Sequence, residues 1–204
     1  MKKKEHTPRS ILRGVCVRRD VAVVIVRMLI IFTGNGKGKT TAALGQAMRA
    51  VGEGKRAIVH QFIKGPWISG EDKIAPIFGD KLTIIKGGKG FVGILGDSLP
   101  ITEHQRAAQE TWEHIKEAVR SGEYYLVVAD EFNVALSLQL LNKQDVLADI
   151  ILLKKELEER DALLVLTGRG ADRDIIALAD LVTEMREVKH PYNSGTKARR
   201  GVEF

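Results

Sequence analysis

A single cysteine, Cys16, stands in 204 residues, so no internal disulfide can form. A reducing cytoplasm is the compartment that such cysteine usage fits. No apolar run approaches the roughly 18 residues that cross a bilayer; the longest, Val21–Phe32, is broken by Arg27. The basic start MKKKEHTPRS could open a secretory signal, but no small-residue cleavage site follows it. The apolar run leads straight into a glycine-rich loop instead. Internal repeats and low-complexity tracts are also missing. A hydrophobic content of 44% is enough for the core of one ordinary domain.

The net charge of +6 suggests a nucleic-acid partner until it is located. Residues 1–27 carry eight Lys/Arg against two Asp/Glu, which accounts for all of it; residues 28–204 hold 24 of each sign. The globular part therefore gives no electrostatic case for nucleic acid. Residues 1–27 lack periodicity and read as a basic extension, either a flexible arm or sequence upstream of a start at Met28. The domain is expected over 28–204.

Apolar, β-rich runs occur at Met28–Thr33, Ala57–Phe62, Leu82–Ile85, Tyr124–Ala129, Leu163–Thr167 and Leu181–Met185. Helical patterns separate most of them. Thr40–Val51 places Ala43, Ala47 and Val51 on one face; Thr102–Arg120 opens with a Thr102/Gln105 capping box; Asp145–Arg160 aligns Val146, Ile150, Leu153 and Leu157. Continuous apolar strands alternating with helices predict an α/β fold, a parallel sheet of about six strands with helices on both faces. Ligands of such sheets bind at the carboxyl ends of the strands.

Four loops at those ends draw attention. The first, TGNGKGKTT over Thr33–Thr41, follows a strand and opens a helix, the setting of a P-loop. Its glycines let backbone N–H groups approach phosphate, and the helix N-terminus favours the anion. Lys39 would reach the outer phosphates and the Thr40 hydroxyl would meet magnesium. The pattern is atypical, because Thr33 stands where the first glycine belongs. The second, YYLVVADE over Tyr124–Glu131, is a buried strand ending in two carboxylates; Asp130 or Glu131 suits a magnesium ion that bridges phosphates. The third is TGRGADRD, Thr167–Asp174. There Arg169 contacts phosphate or shapes the pocket, or Arg173 and Asp174 simply begin a helix. The fourth, KGGKGFVGILGDSLP over Lys86–Pro100, is long enough to serve as a binding lid. Its one aromatic, Phe91, either stacks on a flat substrate or packs into the core. The histidines form no metal cluster: His60 falls in a strand, His104 and His114 in one helix at non-facing spacing. His190 lies in a terminal segment with aromatic and basic neighbours.

Taken together, TGNGKGKTTAA, RAVGEGK, VHQFIKG, the GF of the long loop, VVADE, TGRG with RDI and LAD, and the ending VKHPYNSGTKARRGVEF resemble the ATP:corrinoid adenosyltransferases of the CobA/CobO/BtuR type. The likeness runs from about Leu29 to Phe204. It implies a cytoplasmic homodimer acting in adenosylcobalamin synthesis or salvage. In that reaction Co(I) of a corrinoid attacks the 5′ carbon of ATP and triphosphate leaves. It further implies that Gly34, Asn35, Gly36, Lys37, Gly38, Lys39, Thr40 and Thr41 hold the ATP phosphates. Lys39, Thr40 and Glu131 would be catalytic, Thr40 and Glu131 would ligate magnesium or manganese, and Phe91 would lie beside the corrinoid. A flavoprotein-type reductase would supply Co(I); neither nucleic acid nor membrane is implied. One departure stands out. Well-known enteric members carry Phe-x-Trp where this chain reads Phe91-Val92-Gly93, so the displacement of the lower cobalt ligand that the pair assists lacks its tryptophan. Trp67 is a candidate replacement. The alternative to this family is a P-loop ATPase or kinase, which would release ADP.

Overall fold

The computed structural model describes residues 28–204 apart from 66–67, 95, 192–194, 196–198 and 203–204. The basic extension, Trp67 and part of the terminal motif lie outside the described residues. Six strands form one all-parallel sheet: β1 (Met28–Thr33), β2 (Ala57–Gln61), β3 (Leu82–Lys86), β4 (Leu126–Asp130), β5 (Leu163–Thr167) and β6 (Leu181–Glu184). They lie side by side in the order β3-β2-β4-β5-β1-β6. The helices are α1 (Lys39–Gly52), α2 (Gly70–Ile74), α3 (Ile101–Ser121), α4 (Phe132–Ser137), α5 (Lys143–Arg160) and α6 (Arg173–Leu178), with a 3-10 turn over Ala75–Lys81.

Alternation along each strand explains the layering. Ile30, Val59, Leu126, Val128, Leu163 and Val165 form one apolar cluster with Ala43, Ala47 and Ala50 of α1. The small α1 side chains let that helix lie close to the sheet. The opposite rows, Leu29 and Ile31, Ile58, Val127 and Ala129, Leu164 and Leu166, pack against α3, α4, α5 and α6. The α5 face is the predicted one, with Val146, Ile150, Leu153 and Leu157 buried. Strands β2, β4 and β5 are buried at every position. The two-face covering expected of all the strands fails at β6, an edge strand exposed along its whole length.

The expected capping box at Thr102 is also corrected. α3 begins at Ile101 and its N-cap is Pro100, with no side-chain cap bond. Pro100 holds the extended backbone of an N-cap, φ −61° and ψ 146°, and Thr102 falls inside the helix as its second residue. Lys143 begins α5 two residues earlier than read, because Asn142 caps it by accepting from Gln144 N and Asp145 N.

His60 follows Ile58 on the α3 side of β2. It is 2% exposed, neither ring nitrogen has a hydrogen-bond partner among the described residues, and the ring centroid of His114 lies 6.3 Å away. Burial first, and the His114 charge second, push its pKa down to about 4. An unfolded chain protonates this ring below about 6.5, whereas the fold resists until about 4. Between those values the unfolded state binds more protons, so stability falls as pH falls. The loss should approach about 3 kcal/mol by pH 4. Urea unfolding at pH 7 and pH 4.5 should show a clearly smaller acid loss in His60→Leu than in the parent; equal losses would refute this source of acid sensitivity.

Candidate functional site

The 34–38 loop joins β1 to α1. Gly34 and Gly38 hold φ of 96° and 114°, values that favour glycine, and Gly38 is the α1 N-cap. Gly34 and Gly36 have a second reason to be glycine: the chain beyond β6 crosses them. A Cβ on Gly34 would stand 2.4 Å from the Met185 carbonyl oxygen, and one on Gly36 would stand 2.7 Å from Met185 O and from Arg186 C. Gly36 N donates to Met185 O at 2.7 Å and Met185 N donates to Thr33 O at 2.8 Å. The atypical Thr33 also has a function in the fold. Its hydroxyl accepts from Ala171 N at 3.2 Å, tying β1 to the loop after β5, a bond that glycine could not make.

Lys39 is 6% exposed, and its ammonium donates to the carbonyls of Gly34 and Gly36, each at 2.8 Å. Burial lowers its pKa, Arg169 adds to the effect, and Glu131 and Asp130 oppose it. A charged oxygen entering the loop would be a stronger acceptor than either carbonyl.

Three strand ends meet beside Thr40. Gln61, Asp130 and Thr167 continue the rows of Val59, Val128 and Val165, which face α1, so all three reach toward the start of that helix. Asp130 is completely buried. Its Oδ1 accepts from Thr40 Oγ1 and Thr167 Oγ1, both at 2.8 Å, and its Oδ2 accepts from Gln61 Nε2 at 3.2 Å. Thr40 is thus bonded to Asp130 rather than to Glu131. Glu131 is the α4 N-cap at φ 60°, ψ 23°, a left-handed conformation uncommon outside glycine, and its N–H donates to Thr167 Oγ1 at 2.9 Å. Burial raises the Glu131 pKa, Asp130 adds to it, and Lys39, Arg169 and Lys64 pull the other way. Gln61 and Thr167 are site residues that stand within quoted motifs, VHQFIKG and TGRGADRD, but that those motifs give no role. The available signal is a polar residue closing an apolar strand, in VHQ and VLT.

The hydroxyl of Thr40 with the carboxylates of Asp130 and Glu131 is a hard-oxygen donor set, which suits magnesium. Among the described residues, no group of three or more His, Cys, Asp or Glu converges as an all-protein metal site would require. Magnesium carried by phosphates needs only one or two protein oxygens.

The 86–100 loop reaches the same end of the sheet. Gly87 N and Gly88 N donate to Gln61 O at 3.0 and 3.1 Å. Added Cβ atoms there would stand 1.9 Å from Thr111 Oγ1 and 2.0 Å from Phe62 O. Phe91 is 42% exposed, not a core residue, while Val92 packs against the core. No described residue meets a Cβ built on Gly93, but its φ is 70°, so a larger residue there would carry backbone strain. Arg169 is exposed, and its charge acts on both Lys39 and Glu131. Arg173 and Asp174 begin α6, capped by Asp172. His190 is half-buried in the terminal segment. No helix among the described residues is long and apolar enough to cross a membrane.

Residues 26–204 match the family ATP:corrinoid adenosyltransferase BtuR/CobO/CobP. The corrinoid adenosyltransferase of Escherichia coli K12 is 37% identical over 179 residues, covering 87% of this chain and 85% of that protein. Those of a Sinorhizobium species and of Pseudomonas aeruginosa are 39% and 38% identical, covering 87% of this chain and 80% and 83% of theirs. With matches of this length and a site in which Lys39, Thr40, Asp130 and Glu131 converge, the chain belongs to the ATP:corrinoid adenosyltransferase family.

Proposed function

We propose that this chain moves the 5′-deoxyadenosyl group of ATP to the Co(I) of a corrinoid and releases triphosphate. The observation that carries the reading is the gathering of Lys39, Thr40, Asp130 and Glu131 around a glycine loop at the helix start, in a member of this family. The cobalt lone pair forms the Co–C5′ bond as the C5′–O bond breaks, and the electron pair leaves with triphosphate. The chain has to hold all three phosphates as one leaving group. Residues Gly34 to Thr41 offer backbone N–H groups and the α1 N-terminus for this, and Lys39 offers a cation. Magnesium, when bound, neutralises charge on the phosphate oxygens. Thr40 and Glu131 would hold it, with Asp130 orienting the Thr40 hydroxyl or joining as a ligand. No side chain needs to activate water. The protein instead aligns cobalt with C5′ and keeps water from the nucleophile. A reductase supplying Co(I) and assembly as a homodimer complete the proposal.

Anaerobic incubation with ATP, magnesium and chemically reduced cobalamin tests it. Adenosylcobalamin and triphosphate should appear in equal amounts. ADP and orthophosphate, without a spectral change at cobalt, would mark an ATPase or kinase instead.

Phe91 is the proposed contact for the corrin disc. Phe91→Ala should remove about 1–3 kcal/mol of apolar contact, weakening corrinoid binding roughly 5- to 100-fold and leaving ATP affinity nearly unchanged. Titrations of each ligand separately decide this. Weakened ATP binding with intact corrinoid binding would assign the loop to the nucleotide.

A further inference from the structure

The 86–100 loop is fastened at both ends by different means. Its entry is held by backbone, through Gly87 and Gly88 on Gln61 O. Among the described residues its exit is held mainly through the Asp97 side chain, beside a backbone bond from Asp97 N to Ile94 O at 3.2 Å. Asp97 Oδ2 accepts from Gly93 N at 2.8 Å and lies 3.0 Å from His104 Nε2, while Oδ1 accepts from Leu99 N at 3.1 Å. The Asp97 and His104 side chains are 10% and 2% exposed. His104 lies on the buried face of α3 with Ala107, Ala108 and Thr111, so the carboxylate ties the turn to a rigid helix. Bonds from the Gly93 and Leu99 amides, then His104, hold the Asp97 carboxyl below the usual carboxylate range.

Gly93 lies two residues past Phe91, and no described residue stands within 4 Å of a Cβ built on it. The backbone here is set from two sides, by Val92 packed against the core and by the bond from the Gly93 amide to Asp97. We infer that Asp97 is a positioning residue for the corrinoid face of the site: through the Gly93 amide and His104 it holds Phe91 where the disc docks. This rests on the proposed role of Phe91. Five glycines between Lys86 and Pro100 would otherwise make the loop costly to order on binding, and a bound form already present in the free protein lowers that cost. A charge-assisted acceptor of two amides suits the task.

The test uses the full chain, MgATP and chemically reduced cob(I)alamin, with Asp97→Ala, Phe91→Ala and the double variant. Asp97→Ala should raise the cob(I)alamin KM about tenfold and shift the ATP KM less than about twofold. Amide exchange at Gly93 and Leu99 should quicken. In the Phe91→Ala background, Asp97→Ala should add less than about twofold, because both changes remove one contact. Asp97→Asn, which keeps an acceptor oxygen, should recover part of the KM. If Asp97→Ala does not fold, His104→Gln takes its place in the same comparison. An unchanged corrinoid KM, or full effects that multiply in the double variant, would overturn the role of Asp97 alone. Failure of the parent chain to form adenosylcobalamin would overturn the reaction itself and with it the substrate named here.

Discussion

Lys39→Ala should slow adenosyl transfer at least about a hundredfold, roughly 2.7 kcal/mol of lost barrier reduction. The proposed reaction expels a highly charged triphosphate, and Lys39 is the cation buried within the loop that would hold it. Folding should survive the change. Among the described residues the ammonium is bonded only to Gly34 O and Gly36 O, and the loop keeps its backbone tie from Gly36 to Met185. Steady-state rates with reduced cobalamin, alongside thermal melts, separate the two effects. Near-normal turnover in a folded variant would show that this loop does not bear the leaving phosphates.

Asp130→Ala should damage both stability and rate. It removes the acceptor shared by Thr40, Thr167 and Gln61 and leaves buried donors unpaired, at a cost of about 3 kcal/mol. Activity should fall at least about a hundredfold, since Thr40 loses its orientation. Asp130→Asn separates the two losses. Its amide oxygen can still accept from the hydroxyls, and its NH₂ can donate to Gln61 Oε1, which is buried without a partner among the described residues, once Gln61 adjusts. Stability should return to within about 1 kcal/mol of the parent while activity stays low, because the negative charge beside Thr40 is gone. Denaturant unfolding and magnesium-dependent rates check this. An active Asp130→Asn paired with an inactive Glu131→Gln would assign the metal to Glu131 alone.

Where local pattern decides structure, the sequence can be read directly. Leu163–Thr167 is buried at every position and appears as an unbroken apolar run; the α5 stripe of Val146, Ile150, Leu153 and Leu157 has helical spacing. The GKT of the first loop marks the start of α1 to within one residue. The choice between Asp130 and Glu131 is not legible there. Consecutive strand residues point to opposite faces, and a strand apolar on both faces gives no sign of which one α1 covers. The roles of Gln61 and Thr167 stay hidden for the same reason although both lie in quoted motifs, since only the sheet order sets them beside β4. The second use of Gly34 and Gly36 depends on Met185 and Arg186, far along the chain, and no local pattern anticipates it. Short helices such as α4 and α6 offer too few turns for a periodicity to appear.

The position of β1 has a consequence for biosynthesis. The first strand of the sheet lies between the last two, β5 and β6. Leu29 N is bonded to Asp180 across 151 residues, and the 34–38 loop leans on Met185. A chain leaving the ribosome therefore carries its glycine loop early but cannot brace it until nearly the whole domain has emerged. Such long-range pairing slows folding. Nascent fragments that end before β6 would leave β1 with an unpaired edge beside β5 and the glycine loop unbraced, so, if this loop is the proposed triphosphate cradle, nucleotide capture would report that translation of the domain is complete.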